Sequence, residues 1–270
     1  MKRLEGKTAI VLGAAGEGNL GQVIARRYTQ EGARVMVAGR HEEALAALAK
    51  EIGGSYRLCD ITKKNDVEAL VAAMTEKYGP VHIGVNATGW GLVKKFLDMT
   101  TEELEQMSAL QFIGPFQFFQ ALVGGMTEGG SIIQISSATA VIMVEDHAAY
   151  MGTKAGTDHV IRCIANEFGA RNIRANSISP GFTASPMTAR ASRNPAIVET
   201  FRKEYPLGRI GTLDDTAEAA VWLASDACFM TGENLQVNGG LTLRRNPTNA
   251  EIIAAAAEYR ARREAEKARN

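Results

Sequence analysis

The sequence predicts a doubly wound α/β fold, a parallel seven-stranded sheet with helices on both faces, in one domain followed by a helical tail. Three observations predict it. Short apolar runs alternate with longer stretches of helical period, a glycine-rich turn follows the first run at once, and 270 residues suffice for one large core. The strands are expected at Thr8–Leu12, Arg34–Ala38, Tyr56–Cys59, Ile83–Val85, Ser131–Ile135, Ile173–Ile178 and Leu235–Val237.

Helical patterns fill the intervals. Leu20–Gln30 and Glu42–Ile52 follow the first two strands, and Thr62–Tyr78 follows the third with Thr62 as its N-cap. Thr100-Thr101-Glu102-Glu103 has capping-box spacing and opens the next helix. A long helix runs from about Ala148 to Gly169. Another starts after Thr212, with Asp214 and Asp215 favouring its N-terminal dipole. Residues 183–211 lack strand character and carry Pro186, Pro195 and Pro206, which predicts a lid over a site. Residues 1–243 read as the catalytic domain and 244–270 as a tail. In that tail Ala250–Arg269 is a predicted helix whose weak apolar face (Ile252, Ala256, Tyr259) either frays or meets another subunit.

Composition excludes several classes of function. Thirty basic and thirty acidic residues cancel, so there is no basic face for nucleic acid. No apolar run approaches the roughly 20 residues of a membrane span, and no signal peptide opens the chain. Cys59, Cys163 and Cys228 form no CxxC pair and read as buried thiols of a reducing compartment, the cytoplasm. His41, His82 and His159 are too scattered for a metal, and none is expected.

Gly13-Ala14-Ala15-Gly16-Glu17-Gly18-Asn19-Leu20-Gly21 joins the first strand to the first helix. A turn there must bend sharply and let backbone approach a pyrophosphate, which residues without Cβ permit. The helix that follows offers free N–H groups and a positive dipole end. A glycine-rich segment alone marks many ordinary turns; at the first βα junction of such a sheet it marks a dinucleotide. The second strand ends Val37-Ala38-Gly39-Arg40, with no carboxylate for a ribose 2′-hydroxyl and an arginine for a 2′-phosphate. NADP is favoured, with NAD as the alternative.

Tyr150 and Lys154 stand four apart, hence on one helix face. A phenol works as general acid/base only if its pKa falls from about 10, and a neighbouring ammonium stabilises the phenolate. Ser137 lies just past the fifth strand, placed to bond a substrate oxygen. A Tyr-x-x-x-Lys pair is common on solvated helix faces; its conjunction with the serine and the glycine-rich turn is not.

Together these features resemble the short-chain dehydrogenase/reductase family, a Rossmann-like family, over about Leu4–Leu243. The matching motifs are Gly13…Gly21, Asp60-Ile61, Asn86-Ala87-Thr88-Gly89, Ser136-Ser137, Tyr150…Lys154, Asn176…Pro180-Gly181 and Asn238-Gly239-Gly240. The resemblance implies that Tyr150 exchanges the proton, that Lys154 binds the nicotinamide ribose and lowers the tyrosine pKa, and that Ser137 positions the substrate. Gly13, Ala15, Asn19, Leu20, Gly21 and Arg40 would hold the phosphates and ribose. By the same likeness Asp60 and Ile61 would touch adenine, Asn86, Ala87 and Thr88 would border the cofactor, and Pro180, Gly181, Phe182 and Ser185 would hold its nicotinamide end. There are three departures. The glycine turn is two residues longer than usual with Asn19 at a glycine position, Ala87-Thr88 replaces Asn-Ala, and Gln111 stands where an asparagine completes the proton relay.

Trp90, Met143, Val144 and Met187, with Ser137 and Tyr150, are expected to line the substrate pocket, and Ala138, Val141 and Phe182 add apolar surface. That suggests a hydrophobic or cyclic ketone or secondary alcohol. A 3-oxoacyl-thioester reductase is the chemical rival; only Lys94-Lys95 offers the basic surface it would want. An enoyl reductase would show a wider Tyr–Lys gap. A silent dinucleotide-binding scaffold is the rival from another class. The resemblance also implies a homodimer or homotetramer.

Overall fold

The computed structural model describes residues 2–269. Every apolar run becomes a strand: β1 (Thr8–Leu12), β2 (Arg34–Gly39), β3 (Ser55–Leu58), β4 (Ile83–Asn86), β5 (Gly130–Ile135), β6 (Ile173–Pro180) and β7 (Asn234–Val237). They form one parallel sheet in the order β3-β2-β1-β4-β5-β6-β7. The order reverses between β1 and β4, and a crevice opens beyond the carboxyl ends of such strands.

The helices are α1 (Leu20–Gln30), α2 (Glu42–Glu51), α3 (Lys64–Tyr78), α4 (Thr101–Ser108), α5 (Gly114–Gly125), α6 (Ala148–Phe168), α7 (Ala189–Ser192), α8 (Pro195–Arg202), α9 (Leu213–Ala224) and α10 (Asn249–Arg269). Strand β1 shows why both faces need cover. All five of its residues are buried, Ala9 and Val11 facing a core shared with α1, α2 and α9, Ile10 and Leu12 a core shared with α3, α5 and α6. The alternation follows from the two-residue period of a strand. On the first face Tyr28 of α1 donates its hydroxyl to the Ala220 carbonyl of α9 at 3.0 Å, which satisfies a buried phenol and locks the two helices.

Capping explains most helix starts. Thr100 with Glu103 and Thr212 with Asp215 form capping boxes at α4 and α9. Thr62 does not cap α3, contrary to its pattern. The Asp60 carboxylate accepts from the Thr62 N–H at 3.1 Å and hydroxyl at 2.8 Å, and that local turn delays the helix to Lys64.

Between α4 and α5 the chain forms a π-helical turn, Ala109–Ile113. Its cause is Pro115, which has no N–H and whose ring would strike the carbonyl four residues back, that of Gln111. The displaced Gln111 carbonyl takes the Thr157 hydroxyl of α6 at 2.7 Å instead.

The segment 183–211 is more regular than its prolines suggest. It holds one 3-10 turn, Pro186–Thr188, and the short helices α7 and α8, and is closed at its base by a Thr183–Gly211 bridge. Pro186 and Pro195 sit at the start of the 3-10 turn and of α8, where a missing N–H costs no hydrogen bond, and Pro206 lies in the turn after α8. The tail neither frays from its start nor needs a second copy there: α10 packs on α8, and Ile252 joins an apolar cluster of its own chain. Glu258 and Arg262 form the anticipated i,i+4 ion pair. Among the described residues no helix is long and apolar enough to cross a membrane.

Candidate active site

The site is built where β4, β5 and β6 end. Ser137 follows β5 with its backbone extended, and its hydroxyl lies 2.9 Å from the Thr139 hydroxyl and accepts the Thr139 N–H at 3.2 Å. Near the start of α6 the Tyr150 phenol lies close enough to the Ser137 side chain for it to favour the ionised form. Tyr150 is half-buried, with the His147 ring edge-on to it at 6.3 Å.

Lys154, one turn further, is buried. Its ammonium donates to the Ile135 carbonyl at 2.7 Å and lies 5.8 Å from the Tyr150 ring centroid. Burial pushes it down to about 8, opposed by the charge of Asp158. Burial likewise raises the Tyr150 phenol, Ser137 pulls the other way, and the Asp158 charge adds to the rise. The family expectation of a lowered phenol is therefore not met by this chain's own groups: desolvation outweighs them.

Three expected residues converge around Gly89. A Cβ there would lie 3.3 Å from Gln111 Oε1, 3.8 Å from Lys154 Nζ and 3.8 Å from Met187 Cε. Met187 comes from the lid, which thus lies across the strip after β4, over Gly89 and Gly91. The Gln111 carboxamide is tied down on both ends, accepting the Trp90 N–H at 3.3 Å and donating to Thr153 at 3.2 Å and to the Met107 sulfur.

The glycine-rich turn forms the other half of the crevice. Gly13 has φ 99°, and a Cβ on it would sit 2.6 Å from the Ala87 carbonyl carbon, so only glycine lets the turn cross the strip after β4. Asn19 closes the turn. Its amide donates to the Gly13 carbonyl at 2.8 Å while its oxygen caps α1 through the Gln22 N–H at 3.0 Å. Gln22 in turn accepts the Gly18 N–H at 3.1 Å. Leu20, Gly21 and Ala15 stand on this frame, and Glu17 is exposed.

Arg40 is exposed at the end of β2. Against the upward push of burial, hydrogen bonds from Thr62 and the charges of Arg40 and Lys63 hold the Asp60 carboxyl below its ordinary value. Ile61 is buried beside it. Asn86 is buried and accepts from the Thr88 N–H at 3.1 Å and hydroxyl at 2.8 Å, with Ala87 between them. At the lid hinge Pro180 pairs with Val237, Gly181 and Phe182 follow, and Ser185 and Thr188 form a capping box. The Phe182 ring stacks on Phe201 of α8 at 4.1 Å, so it serves the lid rather than the open cleft. Met143 is exposed and Val144 half-buried on the loop before α6.

The likeness to known proteins decides what this crevice belongs to. A family model described as enoyl-(acyl carrier protein) reductase matches residues 13–242. D-threitol dehydrogenase of Mycolicibacterium smegmatis is 33% identical over 250 residues, covering 90% of this chain and 95% of that one. Mitochondrial borneol dehydrogenase of Lavandula x intermedia is 30% identical over 254 residues, covering 92% and 95%. A solved short-chain type dehydrogenase/reductase from Mycobacterium ulcerans superposes with TM-score 0.86 at 30% identity, over 90% of this chain and 92% of that one. The chain belongs to the short-chain dehydrogenase/reductase family. With it, the chain is an oxidoreductase acting on CH–OH groups with a nicotinamide dinucleotide.

The residues present fit that dinucleotide. Lys154 has three ammonium protons, and the one bond found for it among the described residues, to Ile135, leaves donors for ribose hydroxyls. Two site residues went unread in the sequence. Gln134 of β5 accepts the Asn86 amide at 2.8 Å and donates to the Ile135 carbonyl at 2.7 Å, the same carbonyl that holds Lys154. Asp158, one turn after Lys154, accepts the Ser136 hydroxyl and the Asn234 amide at 2.7 Å each, and burial raises its carboxyl. A glutamine in the middle of the apolar run Ser131–Ile135 was the available signal for the first. The i,i+4 spacing to Lys154 was the signal for the second.

Proposed function

We propose that this family member moves a hydride between NADP(H) and a hydrophobic, cyclic ketone/secondary-alcohol pair. The observation that carries the reading is the junction of Ser137, Tyr150 and Lys154 with the lid's Met187 and Gln111 around the strip after β4. Bound along Gly13–Gly21, Arg40, Asp60, Ile61 and Asn86–Thr88, the dinucleotide supplies the hydride and, when oxidised, a positive charge. In reduction Tyr150 gives its proton to the carbonyl oxygen held by Ser137. Lys154, charged, offsets the phenolate left behind, and Gln111 holds a relay water through which the phenol regains its proton. Pro180, Gly181, Ser185 and the backbone of Phe182 border the nicotinamide end of the cleft.

NADP over NAD rests on Gly39-Arg40: an exposed guanidinium where a carboxylate would face the ribose. Hydrophobic substrates rest on Trp90, Met143, Val144 and Met187. Carbonyl over enoyl reduction rests on the four-residue Tyr150–Lys154 spacing. Against an acyl-carrier partner, Lys94 is spent on Glu103 at 2.7 Å, which halves the basic pair. Exposed Leu104, Phe112, Ile113 and Phe116 on one side, and Trp222 and Phe229 on another, support a homotetramer, which sedimentation checks. Three free cysteines support the cytoplasm, although only Cys59 and Cys228 are buried and Cys163, expected to be buried too, is exposed on α6. Residues 1–243 would be the catalytic unit, with 244–270 appended.

The test is NADPH oxidation with a panel of ketones, wild type beside Tyr150→Phe. We expect turnover of cyclic ketones, a loss of at least ~100-fold in the variant, and unchanged cofactor affinity. Tight cofactor binding with no turnover of any ketone would leave the scaffold reading standing.

A further inference from the structure

The family model ends at residue 242, yet the chain continues straight onto the substrate side of the cleft. Asn246 is buried, and its amide donates to the Met143 carbonyl at 3.0 Å. Asn249 engages the next residues of the same loop: its backbone N–H donates to the Glu145 carboxylate at 2.6 Å, and its amide to the Asp146 carboxylate at 2.8 Å. Asp146 has φ 62°, a left-handed backbone that a non-glycine residue holds only when its surroundings impose it. Its carbonyl also accepts the Lys94 N–H at 2.7 Å, from the strip after β4. One residue on, His147 begins α6 and faces Tyr150.

The same segment grips the lid. Arg244 donates to the Lys203 carbonyl at 2.7 Å, and Arg245 pairs with Glu204 at 3.2 Å and with Glu251 at 2.7 Å. Ile252 packs into the cluster of Ala138, Ile142, Phe182, Phe201 and Tyr205, which joins the residue after Ser137 to the lid. Three pieces, the loop before Tyr150, the strip after β4 and α8, are thus joined through one anchor that lies beyond the residues the family model matches.

We infer that residues 244–252 are a specificity-determining strap: through Asn246 and Asn249 they fix the Met143–His147 loop, and so the width of the substrate cleft. Asn246 and Asn249 act as positioning residues, with no contact to Tyr150, Lys154 or the glycine-rich turn. The inference rests on the hydride-transfer reading above.

The experiment compares wild type, Asn246→Ala/Asn249→Ala, the milder Asn249→Asp, which sets a third carboxylate against Glu145 and Asp146, and Arg262→Ala at the far end of α10 as control. We measure kcat and KM for one small acyclic and one bulky cyclic ketone, the Kd of NADPH, and amide exchange of residues 94 and 143–147. The double variant is expected to lose at least tenfold in the kcat/KM ratio of cyclic over acyclic ketone, through KM, with kcat and NADPH Kd within twofold and the loop amides exchanging faster. Asn249→Asp moves the same way by less, and Arg262→Ala changes nothing. A ratio within twofold of wild type in both strap variants, or an equal loss for both ketones with weakened NADPH binding, overturns the strap. A wild type inert to all ketones overturns the reaction instead. Loop exchange then still judges the strap, and unchanged exchange in the variants sinks it.

Discussion

The two halves of the crevice are held together by different means. On the dinucleotide half, a close backbone crossing sets the turn Gly13–Gly21, since Gly13 passes Ala87 at a distance no side chain tolerates, and two side chains, Asn19 and Gln22, brace it on α1. On the substrate half, side chains carry the load. Phe182 stacks on Phe201, Met187 reaches over Gly89, and Asn246 and Asn249 hold the loop before Tyr150. Backbone constraints admit few sequences, whereas side-chain contacts can be exchanged one at a time. A cofactor common to a family therefore meets the first half, and whatever distinguishes members meets the second. Lys154 belongs to both, since Ile135 and Asn86–Gln134 position it from the sheet while it borders Gly89, on which the lid's methionine also lies.

The largest effect should come from that shared residue. Lys154→Met removes the charge that offsets the phenolate, and kcat is expected to fall by at least ~100-fold. Stability should move the opposite way. The lysine's pKa, ordinarily 10.5 and about 8 in the fold, means that the folded state binds its proton less tightly than the unfolded state. The penalty is complete below about pH 8 and vanishes as pH rises past 10.5, and its size is on the order of 3 kcal/mol. Chemical denaturation at pH 7 should find the variant more stable than wild type, with the gap closing at high pH. A less stable variant at pH 7 would show that the ammonium is not desolvated. In wild type kcat/KM should decline as pH rises through about 8, as the free enzyme's ammonium discharges.

Gly13→Ala attacks the backbone half alone. Its Cβ meets the Ala87 carbonyl carbon at 2.6 Å, and φ 99° is a glycine conformation, so the loss of stability should be on the order of 3 kcal/mol. NADPH affinity should fall, while the KM ratio between cyclic and acyclic ketones stays put. If the ratio moved as well, the two halves would not be mechanically separate.

How much of this was legible follows the same division. The strands and the junctions after β1, β5 and β6 could be read because period and glycine placement are local. Gln111 could be aligned, but not its surroundings: Pro115 four residues on forces the π turn and frees its carbonyl for Thr157, a contact 46 residues away. The Thr62 cap failed because Asp60 takes its hydroxyl and N–H into a local turn. The raised phenol escaped because the sequence lists charges and not burial. The strap escaped because Asn246 and Asn249 look like ordinary helix breakers, and their partners lie 103 and 104 residues earlier.

A moderate effect tests which dinucleotide the backbone half prefers. Arg40→Ala deletes the exposed guanidinium offered to a 2′-phosphate, and charge-assisted bonds are worth about 1.5–3 kcal/mol. NADPH Kd should rise by roughly tenfold or more with NADH Kd nearly unchanged, as titration of each cofactor by fluorescence would show. Equal small changes for both would place the arginine outside the pocket.

The smallest effect probes the turn from its other end. Asn19→Ala removes the cap of α1 and the bond to the Gly13 carbonyl together, and losing a cap costs about 1 kcal/mol. The N–H of Gln22 then becomes free, so the helix end gains a donor for phosphate while the turn loses its brace. If bracing dominates, NADPH binding weakens by a fewfold and its association becomes slower; if the freed donor dominates, binding tightens. The brace should win, because Asn19 is the side chain that joins the Gly13 carbonyl to the start of α1. Stopped-flow association of NADPH with the variant separates the two, and faster, tighter binding would show that the glycine missing at position 19 is a loss the asparagine does not repair.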